Sequence, residues 1–199
     1  MKVEERSDTP ILTTRYGNDL VVRFIRPKAR NPLSIAALES LHKFIDLISS
    51  TAEIKKVIFT GTDDVFASGA DLREIAQITE DSAKNFAVRG QSLMNKIARM
   101  RQPTIAAING FCFGGALDLV LACNKRISSP SAIFCHPGVS LGIITGWGGT
   151  QRLPRLVGQA KATEIFLTAK RIGAEEALNI NLIDKIIENP LEFALANYC

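Results

Sequence analysis

Residues that commonly bind metal ions are scarce in this sequence, which has two histidines and four cysteines among 199 residues. The cysteines are Cys112, Cys123, Cys135 and Cys199, and none of them forms a C-x-x-C pair with another. The ligand spacing of a zinc site is therefore missing, and we expect no metal site. Reduced thiols are typical of a cytoplasmic protein, so we expect a cytoplasmic location.

The sequence also has little that indicates a membrane or a secretory signal. Its N-terminus, MKVEERSDTPILTTR, carries acidic residues and no apolar core segment, so we do not expect a secretory signal. The most apolar stretch, residues 103–124, resembles a membrane span in length. However, it contains the turn signal Asn109-Gly110, the pair Gly114-Gly115, and Asp118, whose charge would be costly in lipid. We therefore expect no membrane partner.

The charge balance is mildly basic rather than extreme. Lysine and arginine exceed aspartate and glutamate by 24 to 20, and the basic residues are spread along the chain. Such a balance favours a polyanionic ligand without requiring nucleic acid. With 46% hydrophobic and 22% charged residues, the composition is that of an ordinary globular protein, and the length predicts one domain over residues 1–199.

Strand and helix signals alternate along the chain. Residues 11–15 and 20–25 predict a β-hairpin, and Asn31-Pro32 is typical of a helix start, with a helix predicted to about Ser50. Further strands are predicted at 55–60, 104–108, 126–128, 132–135 and 183–187, and helices at 72–77, 80–100, 160–169, 174–181 and after Pro190. This alternation predicts an α/β fold with right-handed crossovers.

Residues 103–124 form the central pattern: a short apolar strand, a turn, and a glycine pair that opens an apolar helix. Glycines at a helix start let a ligand approach N–H groups that the first turn leaves without intrahelical partners. Such donors suit an anion or a developing oxyanion. A buried strand-turn-helix without any chemistry is an equally good interpretation of these residues alone.

Two other segments have the same ambiguity. Residues 66–71, FASGAD, follow a predicted strand, where α/β folds commonly bind ligands, but Ser68 and Asp71 also suit a turn and a helix N-cap. Residues 142–153 form a second glycine-rich approach to a helix. It is not a P-loop, because no lysine follows its glycines.

Four segments together resemble the crotonase family, also called the enoyl-CoA hydratase/isomerase family. They are RPKARNPL at 26–33, FASGADL at 66–72, AAINGFCFGGALDLVLAC at 106–123 and PGVSLGIITGWGGTQRLPRLVG at 137–158. The resemblance implies a crotonase-like (ClpP/crotonase) α/β fold of repeated ββα units wound as a superhelix. It also implies a homotrimer or homohexamer that binds acyl-CoA, with no cofactor beyond the coenzyme A of the substrate.

The resemblance also implies a site. In the family, two backbone N–H groups hold the thioester oxygen, and the matching residues are Ser68 and Gly115. The loops at 28–31 and 67–72 are expected to border the CoA moiety. One well-placed donor stabilises such a transition state by about 3 to 4 kcal/mol. The expected substrate-binding residues are Lys28, Arg30, Asn31, Ala67, Gly69, Ala70, Asp71, Leu72, Phe113, Gly114, Pro137, Gly138 and Trp147.

The sequence departs from the family at the two glutamates that the hydratases carry. Asp118 stands at the first position and Gly138 at the second. Asp118 is interpreted as a general acid/base, or as an acidic residue that the helix dipole stabilises by about 0.3 to 1 kcal/mol. Gly138 is expected to leave room for a water, a small anion or a bulkier acyl group. His136 is a candidate substitute base, although strand alternation need not bring it to the face of Gly138.

Two further interpretations stay open at this point. Trp147 either lines the acyl pocket or packs under a glycine loop. Family members continue past the strand near Ile187 with helices that cover the pocket, so the chain is either a short form with a lid from elsewhere or lacks part of its fold. In both cases Phe193 and Leu195 are expected to form an exposed apolar patch.

The default activity is hydration of a 2-trans-enoyl-CoA, with an enolate stabilised in a backbone oxyanion hole. Loss of the second carboxylate argues against efficient hydration, because water addition needs a base for water and an acid for carbon. Double-bond isomerisation, thioester hydrolysis and decarboxylation are the alternative reactions. A further alternative is a protein of this fold that binds acyl-CoA or RNA without turnover.

Overall fold

The computed structural model describes residues 9–197. Its strands are β1 (Ile11–Tyr16), β2 (Asp19–Phe24), β3 (Pro32–Leu33), β4 (Lys56–Thr60), β5 (Val65–Ala67), β6 (Gly69–Ala70), β7 (Thr104–Ile108), β8 (Phe111–Phe113), β9 (Lys125–Ser128), β10 (Ile133–Cys135), β11 (Ile172–Gly173) and β12 (Lys185–Ile186). Its α-helices are α1 (Ile35–Ser49), α2 (Leu72–Ile75), α3 (Glu80–Ala98), α4 (Gly115–Ala122), α5 (Gly149–Val157), α6 (Gln159–Thr168), α7 (Ala174–Asn179) and α8 (Pro190–Asn197).

A ββα unit repeats along the chain. In successive units the first strands, β4, β7 and β9, join a six-stranded sheet of order β1-β2-β4-β7-β9-β12. The second strands, β5, β8 and β10, join a four-stranded sheet of order β11-β10-β8-β5. Neighbouring strands of successive units are parallel in both sheets. Each helix therefore returns the chain in the same sense, and this winding confirms the predicted α/β fold of repeated ββα units.

The central strands of the larger sheet are buried on both faces. Val57 and Phe59 of β4 belong to the main hydrophobic core, whereas Ile58 between them packs on the opposite face. In β7, Ile105 and Ala107 pack on that second face as well. Alternate residues of a strand point to opposite faces, so two-sided burial explains why these strands are continuous apolar runs in the sequence.

Helix α8 covers the second face of this sheet. Ala194 is fully buried there, and Leu191, Phe193 and Leu195 are partly buried against the same cluster. The expectation that Phe193 and Leu195 form an exposed patch is therefore wrong. Helical spacing places both side chains beside Ala194, against the sheet.

The predicted helix start at Asn31-Pro32 is also wrong. Pro32 and Leu33 form β3, and α1 starts after Ser34, whose side chain accepts a hydrogen bond from the Ala37 N–H. The Asn31 side chain instead donates to the carbonyls of Val65 and Phe66. A tertiary contact of this kind has no local sequence signal, whereas serine is an equally favourable N-cap.

The segment from 103 to 124 folds as strand, turn, strand and helix. The Phe-Cys-Phe stretch that separates turn and glycine pair is strand β8, with Cys112 buried at its centre. Helix α4 has eight residues, and seven of them are buried. Within residues 9–197, no helix combines the length and the apolar character that crossing a membrane requires.

Candidate active site

A cavity of about 240 Å³ lies beside the start of α4. Ligand pockets commonly measure about 300 to 1,000 Å³, so the cavity suits an acyl chain rather than a whole coenzyme A. Eight of the predicted site residues line it: Ser68, Ala70, Leu72, Gly114, Gly115, Pro137, Gly138 and Trp147. His136, the candidate substitute base, also lines it. The sequence did not indicate the remaining lining residues: Ile75, Ile78, Ala83, Phe86, Ala87, Leu141, Ile143, Ile144, Thr145 and Gly146.

Two loops meet at one wall of this cavity. Gly114 caps α4 with a left-handed φ of 55° and donates its N–H to the Cys135 carbonyl at 2.8 Å. Gly115 is the first residue of α4, where N–H groups have no intrahelical partner. A Cβ added to Gly69 would lie 2.7 Å from the Gly115 nitrogen. The FASGAD loop and the glycine pair are therefore in direct contact, as an oxyanion hole built from both would require.

Within the FASGAD loop, the orientation of the N–H groups matters. Ser68 donates its N–H to the Asn31 carbonyl through a long bond of 3.4 Å. Gly69 pairs with Pro32 and Ala70 with Leu33 in a parallel ladder. Because Pro32 has no amide hydrogen, Gly69 must provide the ladder bonds at this pair, and we expect the next N–H, that of Ala70, to point away from β3. Ala70 is thus a second candidate donor in the loop that contains Ser68.

Trp147 forms another wall of the cavity and also packs between two glycines. A Cβ added to Gly90 would lie 2.2 Å from the indole ring, and a Cβ added to Gly115 would lie 2.3 Å from it. Phe86 packs against it with 5.6 Å between ring centroids. Trp147 is 3% exposed and also lines the cavity. The two glycines are required because any side chain would displace the ring.

Asp118 lies behind this wall and is fully buried. Its Oδ2 accepts hydrogen bonds from the Thr145 hydroxyl and from the Trp147 N–H, the latter at 3.2 Å. Its Oδ1 has no hydrogen-bond partner among residues 9–197. Burial raises the pKa of Asp118 to about 6, against the opposing effects of the Thr145 and Trp147 hydrogen bonds and of the Arg152 charge. The pKa of this carboxyl thus lies close to neutral pH, as that of a proton-transfer group often does.

His136 is a titratable neighbour of that carboxyl. Its Nε2 lies 3.7 Å from Asp118 Oδ1, and like Oδ1 it is buried without a hydrogen-bond partner in the described part of the chain. Burial lowers the pKa of His136 to about 4, so the ring is neutral at pH 7. The doubt raised by strand alternation does not apply, because β10 ends at Cys135 and a 3-10 helix begins at Pro137. His136 and Gly138 therefore line the same cavity.

Gly138 does not leave the space that the sequence suggested. A Cβ at this position would lie 2.6 Å from the Ile143 carbonyl oxygen, and the Ile143 N–H donates to the Gly138 carbonyl at 3.0 Å. The expected room for a water, an anion or a bulkier acyl group is taken, in this direction, by the backbone of residues 143 and 144. The position of the missing glutamate is consequently closed by the chain itself.

The predicted CoA-bordering residues divide into exposed and buried groups. Lys28 and Arg30 are exposed, in and after a short 3-10 helix at Pro27–Ala29. Asp71 caps α2 by accepting from the Arg73 N–H, and its hydrogen bond with the Arg73 side chain lowers its pKa. Buried Asn31, Ala67 and Gly69 shape the loops, and Phe113 packs under the Arg171 guanidinium at 5.9 Å. Their substrate contacts stay predictions.

Comparisons with known proteins agree with this geometry. The family model described as Enoyl-CoA hydratase/isomerase matches residues 15–192. The short-chain-enoyl-CoA hydratase of Clostridium acetobutylicum is 37% identical over 179 residues, which cover 89% of this chain and 69% of that protein. The crotonyl-CoA hydratase of Syntrophomonas wolfei is 39% identical over 171 residues, which cover 85% and 66%. The chain thus spans about two thirds of the length of these curated relatives.

Solved structures give the same result for the fold. The enoyl-CoA hydratase of Bacillus anthracis superposes with a TM-score of 0.89 at 35% identity, covering 94% of this chain and 74% of that one. DspI of Pseudomonas aeruginosa superposes with a TM-score of 0.90 at 30% identity, covering 98% and 75%. Fold, glycine-lined cavity and sequence match lead to one conclusion. The chain belongs to the enoyl-CoA hydratase/isomerase family.

Proposed function

We propose that the chain processes acyl-CoA thioesters and that its default reaction is the hydration of a short 2-trans-enoyl-CoA. The observation that carries this proposal is the contact between the FASGAD loop and Gly115 at the edge of an apolar cavity. Two backbone N–H groups at such a junction hold the thioester oxygen, while the apolar walls receive the acyl chain. The names of the two hydratases from Clostridium and Syntrophomonas support a short acyl substrate.

The chemistry follows from the thioester. Addition of water at C3 makes C2 carbanionic, and this charge delocalises onto the thioester oxygen as an enolate. Gly115 supplies one N–H together with the positive end of the α4 dipole. Ser68 is the second donor proposed from the family pattern, and Ala70 is its alternative in the same loop. These donors favour the enolate over the ground-state carbonyl, which is the requirement for catalysis.

Proton transfer is assigned to the buried pair behind and beside the cavity. Asp118 is the candidate acid/base from the sequence, and its raised pKa of about 6 suits proton exchange near neutral pH. The position of the second glutamate, Gly138, has neither a carboxylate nor the space for one. The proposed site therefore relies on Asp118 together with His136, whose Nε2 lies 3.7 Å from Asp118 Oδ1.

The remaining parts of the substrate have weaker anchors. Lys28 and Arg30 are exposed cations in the segment that leads into β3, the strand that pairs with the FASGAD loop, and we propose that they attract the phosphates of coenzyme A. Coenzyme A enters as part of the substrate, and no other cofactor is proposed. Assembly as a homotrimer or homohexamer, a single domain and a cytoplasmic location also stay proposals, and light scattering of the purified protein tests the first.

Double-bond isomerisation is the second candidate function. It uses the same enolate-stabilising donors but moves a proton between two carbons, so it does not need a separate base for water. The single carboxylate of this site, Asp118, favours it over the hydration that two carboxylates support. A protein that binds acyl-CoA without turnover is the candidate from a different class.

The test is incubation of purified protein with crotonyl-CoA and with 3-trans-hexenoyl-CoA, followed by mass and chromatographic identification of products. A product heavier than crotonyl-CoA by one water supports hydration. Conversion of the 3-enoyl to the 2-enoyl thioester, without water addition, supports isomerisation instead. If neither thioester is consumed although both bind, the binding class replaces the enzymatic proposals.

A further inference from the structure

Protein groups enclose both oxygens of the Asp118 carboxylate. The Thr145 hydroxyl and the Trp147 N–H both donate hydrogen bonds to Oδ2. On the Oδ1 side lies Gly149, so close that an added Cβ would be 2.1 Å from this oxygen. The residue is fully buried and is not among those that line the cavity. Direct contact between this carboxylate and a bound acyl group is therefore blocked by the wall that Trp147 and Thr145 form.

Two polar atoms beside this wall are left without partners. Among residues 9–197, three buried side-chain atoms have no hydrogen bond, and two of them are Asp118 Oδ1 and His136 Nε2. The two atoms are 3.7 Å apart. Unpaired buried groups are unfavourable, and a movement of about 0.7 Å would bring this pair to hydrogen-bond distance. Each atom is thus the other's available partner.

His136, unlike Asp118, reaches the cavity. It lines the same wall as Pro137 and Gly138. With Nε2 directed at Asp118, the ring nitrogen left for the substrate is Nδ1. The ring also packs on Phe166 at 5.0 Å between centroids, which limits its rotation.

We propose, on the basis of the enolate chemistry proposed above, that His136 is the catalytic residue that exchanges protons with water and with C2 of the acyl group. Asp118 is its positioning residue: it accepts a hydrogen bond from His136 Nε2–H and stabilises the imidazolium. The histidine thereby takes the role that the second glutamate has in the hydratases, since Gly138 offers no carboxylate.

In the proposed step one group, the His136 side chain, both removes and returns the proton. His136 Nδ1 removes a proton from water as the water oxygen bonds to C3, and the electron pair of the C2–C3 double bond moves to C2 and the thioester oxygen. The enolate is held by the backbone donors. The imidazolium then returns its proton to C2, so that one water is added and the histidine is restored to its neutral form. In a saturated thioester the same nitrogen removes and returns the α-proton without any water addition.

Other groups around the pair set its charge. Arg152, on α5, acts on Asp118 through its positive charge, and its guanidinium donates to the Trp147 carbonyl at 3.3 Å. Cys112, on β8, is a buried thiol whose pKa burial raises well above its ordinary value, so it stays neutral. Thr145 contributes a neutral hydroxyl. The carboxylate, the guanidinium and a transient imidazolium are thus the charges that the site must balance.

The experiment compares His136→Gln, Asp118→Asn and a matched control, His42→Gln. His42 is the other histidine of the sequence and lies on α1, with its Nε2 at 3.1 Å from the Arg89 carbonyl. Two rates are measured: hydration of crotonyl-CoA, and exchange of the α-protons of butyryl-CoA with deuterium from the solvent. Thermal unfolding of each variant and binding of butyryl-CoA by calorimetry separate catalysis from folding and affinity.

We expect His136→Gln to lose about 100-fold or more in both rates, with an unchanged affinity for butyryl-CoA. Asp118→Asn should lose less, and His42→Gln should match the parent. With ¹⁵N-labelled histidine, the ring nitrogens of His136 should report the Nε2–H tautomer in the parent and shift in Asp118→Asn, whereas those of His42 should not move. A purely structural role of Asp118 would leave the His136 signals in place.

The outcomes separate this proposal from the proposed function. A parent that hydrates, together with a His136→Gln variant that keeps its rate within about threefold, overturns the role of His136 alone. A parent that exchanges α-protons without hydrating removes hydration but still supports His136 if the Gln variant stops exchanging. A parent that neither hydrates nor exchanges overturns both.

Discussion

Two glycine pairs open helices in this molecule, and they serve different ends. Gly114 and Gly115 precede and begin α4, and both line the cavity. Gly148 and Gly149 precede and begin α5, and Gly149 is buried against Asp118. In the first pair Gly114 leaves the cavity open and Gly115 admits an indole ring. In the second pair Gly148 admits the Arg152 guanidinium and Gly149 admits the Asp118 carboxylate.

This difference teaches that a glycine pair before a helix indicates close approach but not what approaches. Helix N-termini attract negative charge through unpaired N–H groups and the helix dipole. At α4 that charge is the proposed enolate. At α5 it is the Asp118 carboxylate, which lies against Gly149. The second pair therefore holds an ionisable group that we propose to support the chemistry at the first pair.

The largest expected effect is that of Gly115→Ala on activity. Its Cβ would lie 2.3 Å from the Trp147 ring, and the ring has no room to retreat because Gly90 packs on the other side, where an added Cβ would lie 2.2 Å from the ring. The start of α4 must therefore shift, and kcat/KM for crotonyl-CoA should fall about 100- to 1,000-fold, the usual effect of losing one oxyanion donor. An unchanged kcat/KM in a folded variant would contradict the role of Gly115 as a donor.

The next effect is on the pH dependence of stability. The pKa of Asp118 is raised to about 6, above its ordinary value of 3.8, so this group favours the folded state below about pH 4 and loses that contribution as the pH rises to about 6. His136, with its pKa lowered to about 4, has the opposite slope: its contribution is present above pH 6.5 and is lost as the pH falls. In the parent the two slopes oppose each other.

Asp118→Asn removes the first slope. The free energy of unfolding of the variant, relative to the parent, should increase by up to about 3 kcal/mol between pH 4 and pH 7, since each unit of pKa shift is worth about 1.4 kcal/mol. Urea unfolding at several pH values measures this. A relative stability that stays constant over this range would show that Asp118 is ionised equally in the folded and unfolded states.

Gly149→Ala is expected to cost about 2 kcal/mol in the free energy of unfolding. The new Cβ would lie 2.1 Å from Asp118 Oδ1 and 2.9 Å from Thr145 Cγ2, in a fully packed region. The cost should shrink in an Asp118→Ala background, because the clashing oxygen is then absent. A double-mutant cycle by urea unfolding measures this coupling, and additive effects would place the clash elsewhere.

The smallest effect is expected at Gly146, which lies in the same segment as Gly148. A Cβ there would meet nothing within 4 Å, and the residue is exposed. Gly146→Ala should change the free energy of unfolding by less than about 0.5 kcal/mol. It is the control for both glycine pairs, and a large loss of stability in this variant would mean that backbone freedom, not space, is what these glycines supply.

The regular elements were predictable from the sequence because the spacing of apolar residues reflects which side chains are buried. Strand β7 and helix α3 were found within two residues of their ends, since the strand is a continuous apolar run and the apolar residues of the helix recur at helical spacing. Asn31 was misinterpreted because its partners, the carbonyls of Val65 and Phe66, lie more than thirty residues away. Such a tertiary hydrogen bond leaves no local pattern.

The site was predictable in its loops but not in its wall. The glycines and the FASGAD loop carry a recognisable pattern, and eight of the residues that line the cavity followed from the resemblance. The apolar lining from α2 and α3 has no signal beyond amphipathicity, which core packing explains equally well. His136 was not expected beside Gly138 because strand alternation was extended past Cys135, where the strand ends, whereas both residues line the cavity.

The packing of Trp147 between Gly90 and Gly115 also makes the protein its own reporter. Trp147 is the only tryptophan of the sequence, so all indole emission arises from one wall of the cavity. An acyl chain that enters the cavity would pack against this ring and change its surroundings. Occupancy of the site can therefore be followed by intrinsic fluorescence in unmodified protein, including variants that have lost all catalysis.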